Sequence, residues 1–266
     1  MKLVKIITIF LAISLSSCEE VIDLDLNEAN PKLVIDASIN LEEDGSTFAF
    51  IKLTTTAPFF NTNIPFVADA TVSITDENGI QYPFTHSENG IYLGNLIPQD
   101  SIDYTLNINY KNELYTATTH LETAVPIEFI EQRNDGGFTG KDIELKAYFT
   151  DPAGVPNFYF FEGLSSKGDS FDALKDTFFD GNLIFGYYLV EDIAPGDTVH
   201  FNLYGINETN YNFLFTLLLQ TESPGGPFET QPASVRGNIT NQTNPENFPL
   251  GYFRISEVYR FSYTVQ

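Results

Sequence analysis

Apolar residues recur at every second position along most of this chain. Leu33, Ile35, Ala37 and Ile39 form the first such run, Ala49, Ile51 and Leu53 the second, and Ala70, Val72 and Ile74 the third. A period of two is that of an extended strand, whose successive side chains point to opposite faces. Asn78-Gly79 after the third run supplies a hairpin turn, because both residues tolerate the backbone that a tight turn needs. Ile91 leads a short run after Asn89-Gly90. Ile102, Tyr104, Leu106, Ile108 and Tyr110 form the clearest strand, and Lys111-Asn112 turns it into residues 114–121. Short strands at this spacing predict an antiparallel sandwich over residues 31–125.

Pro126 marks a boundary. Beyond it, Ile143, Leu145, Ala147 and Phe149 alternate, residues 157–162 (NFYFFE) and 183–190 read as aromatic strands, and Val199, Phe201 and Leu203 give another. Alternate members of an aromatic strand face opposite ways, so half of Phe158-Tyr159-Phe160-Phe161 and one of Tyr187-Tyr188 belong to a core. Then the period changes. Tyr211, Leu214, Phe215 and Leu218 recur at helical spacing, with Asn207 or Thr209 as N-cap and Ser223-Pro224-Gly225-Gly226 as the stop. This predicts one amphipathic helix near 208–222, packed over a sheet. Residues 223–249 read as a long loop, and Tyr259, Phe261, Tyr263 and Val265 return to strand. The expected class is all-β, with two antiparallel sandwich-like domains, 31–125 and 126–266, and one helix in the second. The stretches NGIYLGN, DYTLNINY and ELYTATT resemble small immunoglobulin-like or transthyretin-like modules, a likeness of architecture that carries no activity.

The first residues follow another logic. MKLVKIITIFLAISLSSC places Lys2 and Lys5 before an apolar run of about ten residues, the layout of a secretory signal peptide over 1–17 and too short to cross a bilayer. Leu15-Ser16-Ser17-Cys18 resembles the bacterial lipobox. That resemblance implies cleavage between Ser17 and Cys18 and acylation of Cys18, with residues 18–30 as a tether; several acyl chains anchor where one binds only marginally. Glu19 and Glu20 resemble the acidic export signal of surface lipoproteins in Bacteroidota, which implies an outer-membrane protein exposed at the cell surface. Asp23-Leu24-Asp25-Leu26-Asn27 opens like a calcium loop, but Glu28 stands where the loop needs glycine and Val34 where it needs glutamate. No metal is assigned, and a looser site using Asp23 and Asp25 is the alternative.

Charge narrows the partners. Acids outnumber bases 36 to 13, a net charge of −23 that repels nucleic acid backbones. Cys18 is the only cysteine, so intrachain disulfides and cysteine-based zinc sites are excluded. The chain has no G-x-S-x-G elbow, H-E-x-x-H pair, phosphate-binding glycine loop or dinucleotide fingerprint. His86, His120 and His200 lie far apart and read as structural or exposed. No catalytic or cofactor-binding residue is assigned, and the chain is read as a non-enzyme; a triad assembled only by the fold is the competing reading. Around residues 61–63, Ile64 and Phe66 read as buried loop anchors, with an exposed contact patch as the alternative. Asp100-Ser101-Ile102 and Asp197-Thr198-Val199 resemble the O-glycan acceptor motif of exported Bacteroidota proteins, at Ser101 and Thr198.

One likeness spans nearly the whole chain after the leader. Cys18 followed by VIDLDL, then Pro31-Lys32-Leu33-Val34-Ile35, and the late stretch PFETQPASVRGNITNQTNPENFPLGYF resemble the Bacteroidota lipoproteins grouped as domain of unknown function 4249. The resemblance implies a lipid-anchored accessory or binding module, often encoded beside TonB-dependent receptors. The competing class is a structural or adhesive surface module. No catalytic residues come with the resemblance.

Overall fold

Each alternating run becomes a strand. In a computed structural model, which describes residues 30–58, 61, 63–137, 140–221 and 234–266, the first are β1 (Leu33–Glu42), β2 (Thr47–Thr55), β3 (Thr71–Asp76) and β4 (Gln81–His86). Next come β5 (Ile91–Gly94), β6 (Tyr104–Tyr110), β7 (Glu113–Thr119) and β8 (Leu121–Glu122). Lys111 and Asn112 take φ of 49° and 62°, the left-handed pair of a two-residue hairpin loop between β6 and β7. The later strands are β9 (Phe129–Gly136), β10 (Asp142–Thr150), β11 (Phe158–Leu164), β12 (Ser170–Lys175), β13 (Leu183–Tyr188) and β14 (Thr198–Ile206). Helix α1 (Glu208–Thr221), β15 (Thr240–Asn241) and β16 (Leu250–Thr264) complete the chain. The protein is all-β and sandwich-like with one α-helix.

Pairing runs β12-β11-β14-β16-β1-β2-β5-β4-β3-β6-β7-β15, with β8 also on β16; β13-β10-β9 form a separate sheet of three. The long strand β16 joins the two halves. Its first part lies parallel to β1, Ile39 opposite Ile255, and its second part antiparallel to β14, Phe201 opposite Phe261. Because β8 also pairs with β16, the large sheet bends back on itself around a first core. That core holds Ile35, Ile39, Ile51, Ile74, Leu106, Phe253 and Ile255. A second core, with Leu145, Phe149, Tyr159, Phe161, Phe201 and Val265, fills the space between the large sheet and the small one. Pro31–Gln266 form one compact unit; the first core draws Ile239, Phe253 and Ile255 from beyond Pro126, and the large sheet runs across that position.

Joining strands some 200 residues apart is affordable. Loop closure at that length costs about 5 kcal/mol plus a constant, since the cost grows only with the logarithm of length. Phe253, Ile255, Ile35 and Ile39 are all fully buried at this seam, and each contributes about 1.5–3 kcal/mol. Burial wins.

Asn207 is the N-cap of α1: its Oδ1 accepts from the Asn210 amide at 2.9 Å and from Thr209 Oγ1 at 2.7 Å. Thr209 and Tyr252 hydroxyls lie 2.8 Å apart, which pins the start of the helix to β16. Tyr211 and Leu214 pack on Phe158, Phe160, Tyr204, Ile206 and Val258, a third apolar cluster on the outer face of the large sheet. Phe215, placed by its spacing on the packed stripe, is 45% exposed instead. The helix lies on the sheet along one side only.

Candidate functional site

Strand β1 turns Leu33, Ile35, Ala37 and Ile39 into the first core, so Asp36, Ser38 and Asn40 face the other way. Ser38 is 2% and Asn40 4% exposed. Register sets their neighbours: Asp36 lies opposite Tyr252 and Ser38 opposite Arg254 on β16, and Ser38 lies opposite Phe50 on β2. On the same face, Arg260 stands opposite Asn202 of β14, and Asn202 opposite Glu162 of β11. Helix α1 roofs one side of this surface with Asn210, Phe213, Leu214 and Leu217. The result is a cavity of about 500 Å³, within the size range that holds small organic ligands. Phe48, Phe50, Phe160 and Tyr204 line its walls.

Several donors in this cavity are already occupied. Arg260 makes a bidentate pair with Glu42 through Nε and Nη2, both at 2.8 Å, and its Nη1 donates to Asn202 Oδ1 at 2.9 Å. Arg254 Nη1 donates to Asn40 Oδ1 at 3.0 Å, and its guanidinium lies 4.4 Å from the Tyr204 ring centre. Asn202 Nδ2 and the Tyr204 hydroxyl both donate to Glu162 Oε2, at 2.9 and 3.0 Å. Asp36 is different. Its side chain is exposed, yet the protein around it removes enough hydration to raise its pKa above 3.8, outweighing the attraction of Arg254 and Lys52. The Tyr204 hydroxyl is pushed up as well, chiefly by burial and then by the Glu162 charge.

The late loop is fastened by a second polar cluster. Glu113 accepts from the Tyr115 hydroxyl, from Asn241 Nδ2 at 3.0 Å and from Asn247 Nδ2 at 2.7 Å. Asn238 exchanges two hydrogen bonds with the backbone of Phe253, at 2.8 and 2.9 Å. Phe248 sits between Lys32 Nζ, 3.4 Å from its ring centre, and Arg236, at 3.7 Å. Lys32 belongs to one of the stretches that carried the family likeness, and Arg236, Asn238, Asn241, Asn247, Phe248 and Phe253 to another, so the fold brings the two together.

The structure places the remaining candidates apart from the cavity. Ser17, Cys18, Glu19, Glu20, Asp23 and Asp25 lie outside the described residues. His86 stacks edge-on to Tyr92 at 5.3 Å, and His120 is exposed, with Asp103 at 3.5 Å and Glu122 at 3.2 Å. His200 Nδ1 lies 2.8 Å from Ser262 Oγ, a cross-strand pair on an exposed surface that no carboxylate orients among the described residues. Ser101, at φ 60°, and Thr198 are both exposed. Ile64 and Phe66 are 67% and 55% exposed, so these two expected anchors are not buried, and Val67 beside them enters the core; Phe59 and Phe60 on the other shoulder lie outside the described residues. Asp151, Asp176 and Asp180 bring carboxylate oxygens within 4.8 Å of one another. Tyr159 Oη and the amides of Gly181, Asn157 and Gly154 donate to them, which accounts for the cluster as a loop clamp.

Sequence reasoning missed Asp36, Glu162, Asn202, Arg254 and Arg260. The available signal was charge set inside otherwise alternating apolar strands, with two of only 13 bases falling in β16.

Fold and cavity together define an all-β protein whose sheet carries a helix-roofed, ligand-sized pocket. The chain belongs to the family described as domain of unknown function (DUF4249), whose model matches residues 19–262. None of the curated proteins matches it. Among solved structures, a cytokine receptor complex is 12% identical over 66% of this chain and 86% of its own, at a TM-score of 0.26. A two-domain fibronectin type III segment of chicken tenascin is 15% identical over 67% and 92%, at 0.20. Scores this low carry no argument about this protein.

Proposed function

We propose that the chain is a ligand-binding protein, held by lipid at Cys18 on the outer surface of the outer membrane and working beside a TonB-dependent receptor. The observation that carries the binding reading is the cavity of about 500 Å³ between α1 and the β1–β16 floor. Its aromatic walls and convergent polar groups have the composition of small-molecule sites. The address rests on LSSC followed by two acids, and the receptor on the family likeness. Affinity capture of the tagged protein from native outer membranes tests the partnership, with a TonB-dependent receptor expected in the eluate. Recovery of the lipoprotein without any such receptor overturns that part of the reading.

A second reading, an adhesive surface module, has one observation in its favour. The small sheet turns Phe129, Tyr148 and Phe185 outward as a row, with ring centres 4.7 and 5.2 Å apart. A deletion strain with normal nutrient uptake and altered attachment favours this reading over the first.

A further inference from the structure

The polar groups of the cavity do not balance. All three nitrogens of Arg260 are engaged by Glu42 and Asn202, while Arg254 gives one nitrogen to Asn40 and lays its guanidinium on the Tyr204 face. Acceptors are left over. Asn210 is 2% exposed and lines the cavity, yet its Oδ1 is buried without a hydrogen-bond partner. A buried acceptor left unpaired costs about 1–3 kcal/mol. Asp36 also lines the cavity, and its carboxylate makes no hydrogen bond among the described residues. The charged groups that act on it are Arg254, Lys52 and Glu162. Glu162 uses only Oε2, for Asn202 and Tyr204. A ligand that satisfies these acceptors must donate, and a net charge of −23 on the chain favours a cation.

Resting on the binding reading above, we propose that the cavity takes an organic ammonium compound: a primary or secondary ammonium carried on an apolar or aromatic body. Asp36 supplies the counter-charge and Asn210 Oδ1 a second acceptor. Phe48 and Phe50, with ring centres 5.5 Å apart, together with Phe160 and Phe213, receive the body. Rings beside a desolvated ammonium add cation–π attraction. A carboxylate on the same body would meet the charges of Asp36 and Glu162, and Arg260 is already occupied.

Calorimetric titration of the protein with 3-phenylpropylammonium, 3-phenylpropanol and 3-phenylpropionate, and with the matching octyl series, tests this. The ammonium members are expected to bind at least about tenfold tighter than the alcohols, a difference of about 1.4 kcal/mol, and the carboxylates more weakly still. Asp36→Asn and Asn210→Leu should each remove most of the ammonium preference while alcohol binding stays within about twofold. His200→Ala, outside the cavity, should change neither. Asn210→Leu also alters the first turn of α1, so Asp36→Asn is the deciding variant if the helix variant fails to fold. Equal or tighter binding of the alcohols or carboxylates overturns the ammonium assignment and leaves the binding reading standing. Absence of binding by every member of both series removes both.

Discussion

Asp36 interrupts a strand that otherwise alternates apolar and small polar residues, and its position has an energetic sign. Its folded-state pKa is raised, chiefly by lost hydration. Between the ordinary value of 3.8 and the raised one, the folded chain holds a proton that the unfolded chain has released. Stability therefore falls as pH rises through that window and stays lower at neutral pH. Asp36→Asn is expected to raise the melting temperature at pH 7, and the gain should shrink to nothing as pH drops below 3.8. A variant that melts lower than the parent at pH 7 would refute this account of Asp36. Glu113 has the opposite sign: the Tyr115 hydroxyl first, then Asn247, Asn244 and Asn241, hold its pKa down. Its contribution is present above the ordinary carboxylate range and disappears as pH falls through the lowered value. One acid is satisfied by the fold and the other is kept at a cost.

At the scale of elements, the seam between β1 and β16 depends on a glycine. Gly251 has φ of 98°, and a Cβ there would stand 1.9 Å from the Ile35 carbonyl oxygen and 2.7 Å from its carbon. Both objections fall on backbone, which cannot step aside as a flexible side chain would. Gly251→Ala is expected to lose at least about 2 kcal/mol in urea denaturation with an unchanged m-value. A loss under about 0.5 kcal/mol would show that the seam tolerates a different backbone. The adjoining loop adds a second fastening, with Asn238 on Phe253 and Asn241 on Glu113. The described part of the run that reads as a long loop therefore closes the first core, with Ile239 buried within it.

For the whole molecule, the proposed address makes a separate prediction. Cys18→Ala should abolish fatty-acid labelling and leave the leader uncut at Ser17–Cys18, and the protein should leave the membrane fraction. A variant that still partitions with membranes by any route would sink the lipid-anchor reading. No helix among the described residues is long and apolar enough to cross a membrane. A chain of charge −23 is repelled by anionic lipid, so membrane attachment through Cys18 would have to come from acyl chains and not from surface charge.

Local pattern was enough to specify most of the strands, the hairpin at Lys111-Asn112, the helix and the family, because period, turn chemistry and capping act over a few residues; the strands Gln81–His86 and Ser170–Lys175 were not among them. It also divided the aromatic run correctly: Tyr159 and Phe161 enter the second core while Phe158 and Phe160 face the helix. Alternation states that β1 has an apolar face and a polar face, but not what lies against the polar one. That was decided when β16, over 200 residues later, paired with β1 and brought Arg254 and Tyr252 beside Ser38 and Asp36, and α1 then settled over part of the same surface. Pairing at such separation is fixed by the total burial it achieves and not by any short stretch. The sequence alone therefore determined an all-β chain of known family, and only the tertiary structure turned a row of apparently solvent-facing polar residues into the floor of a cavity.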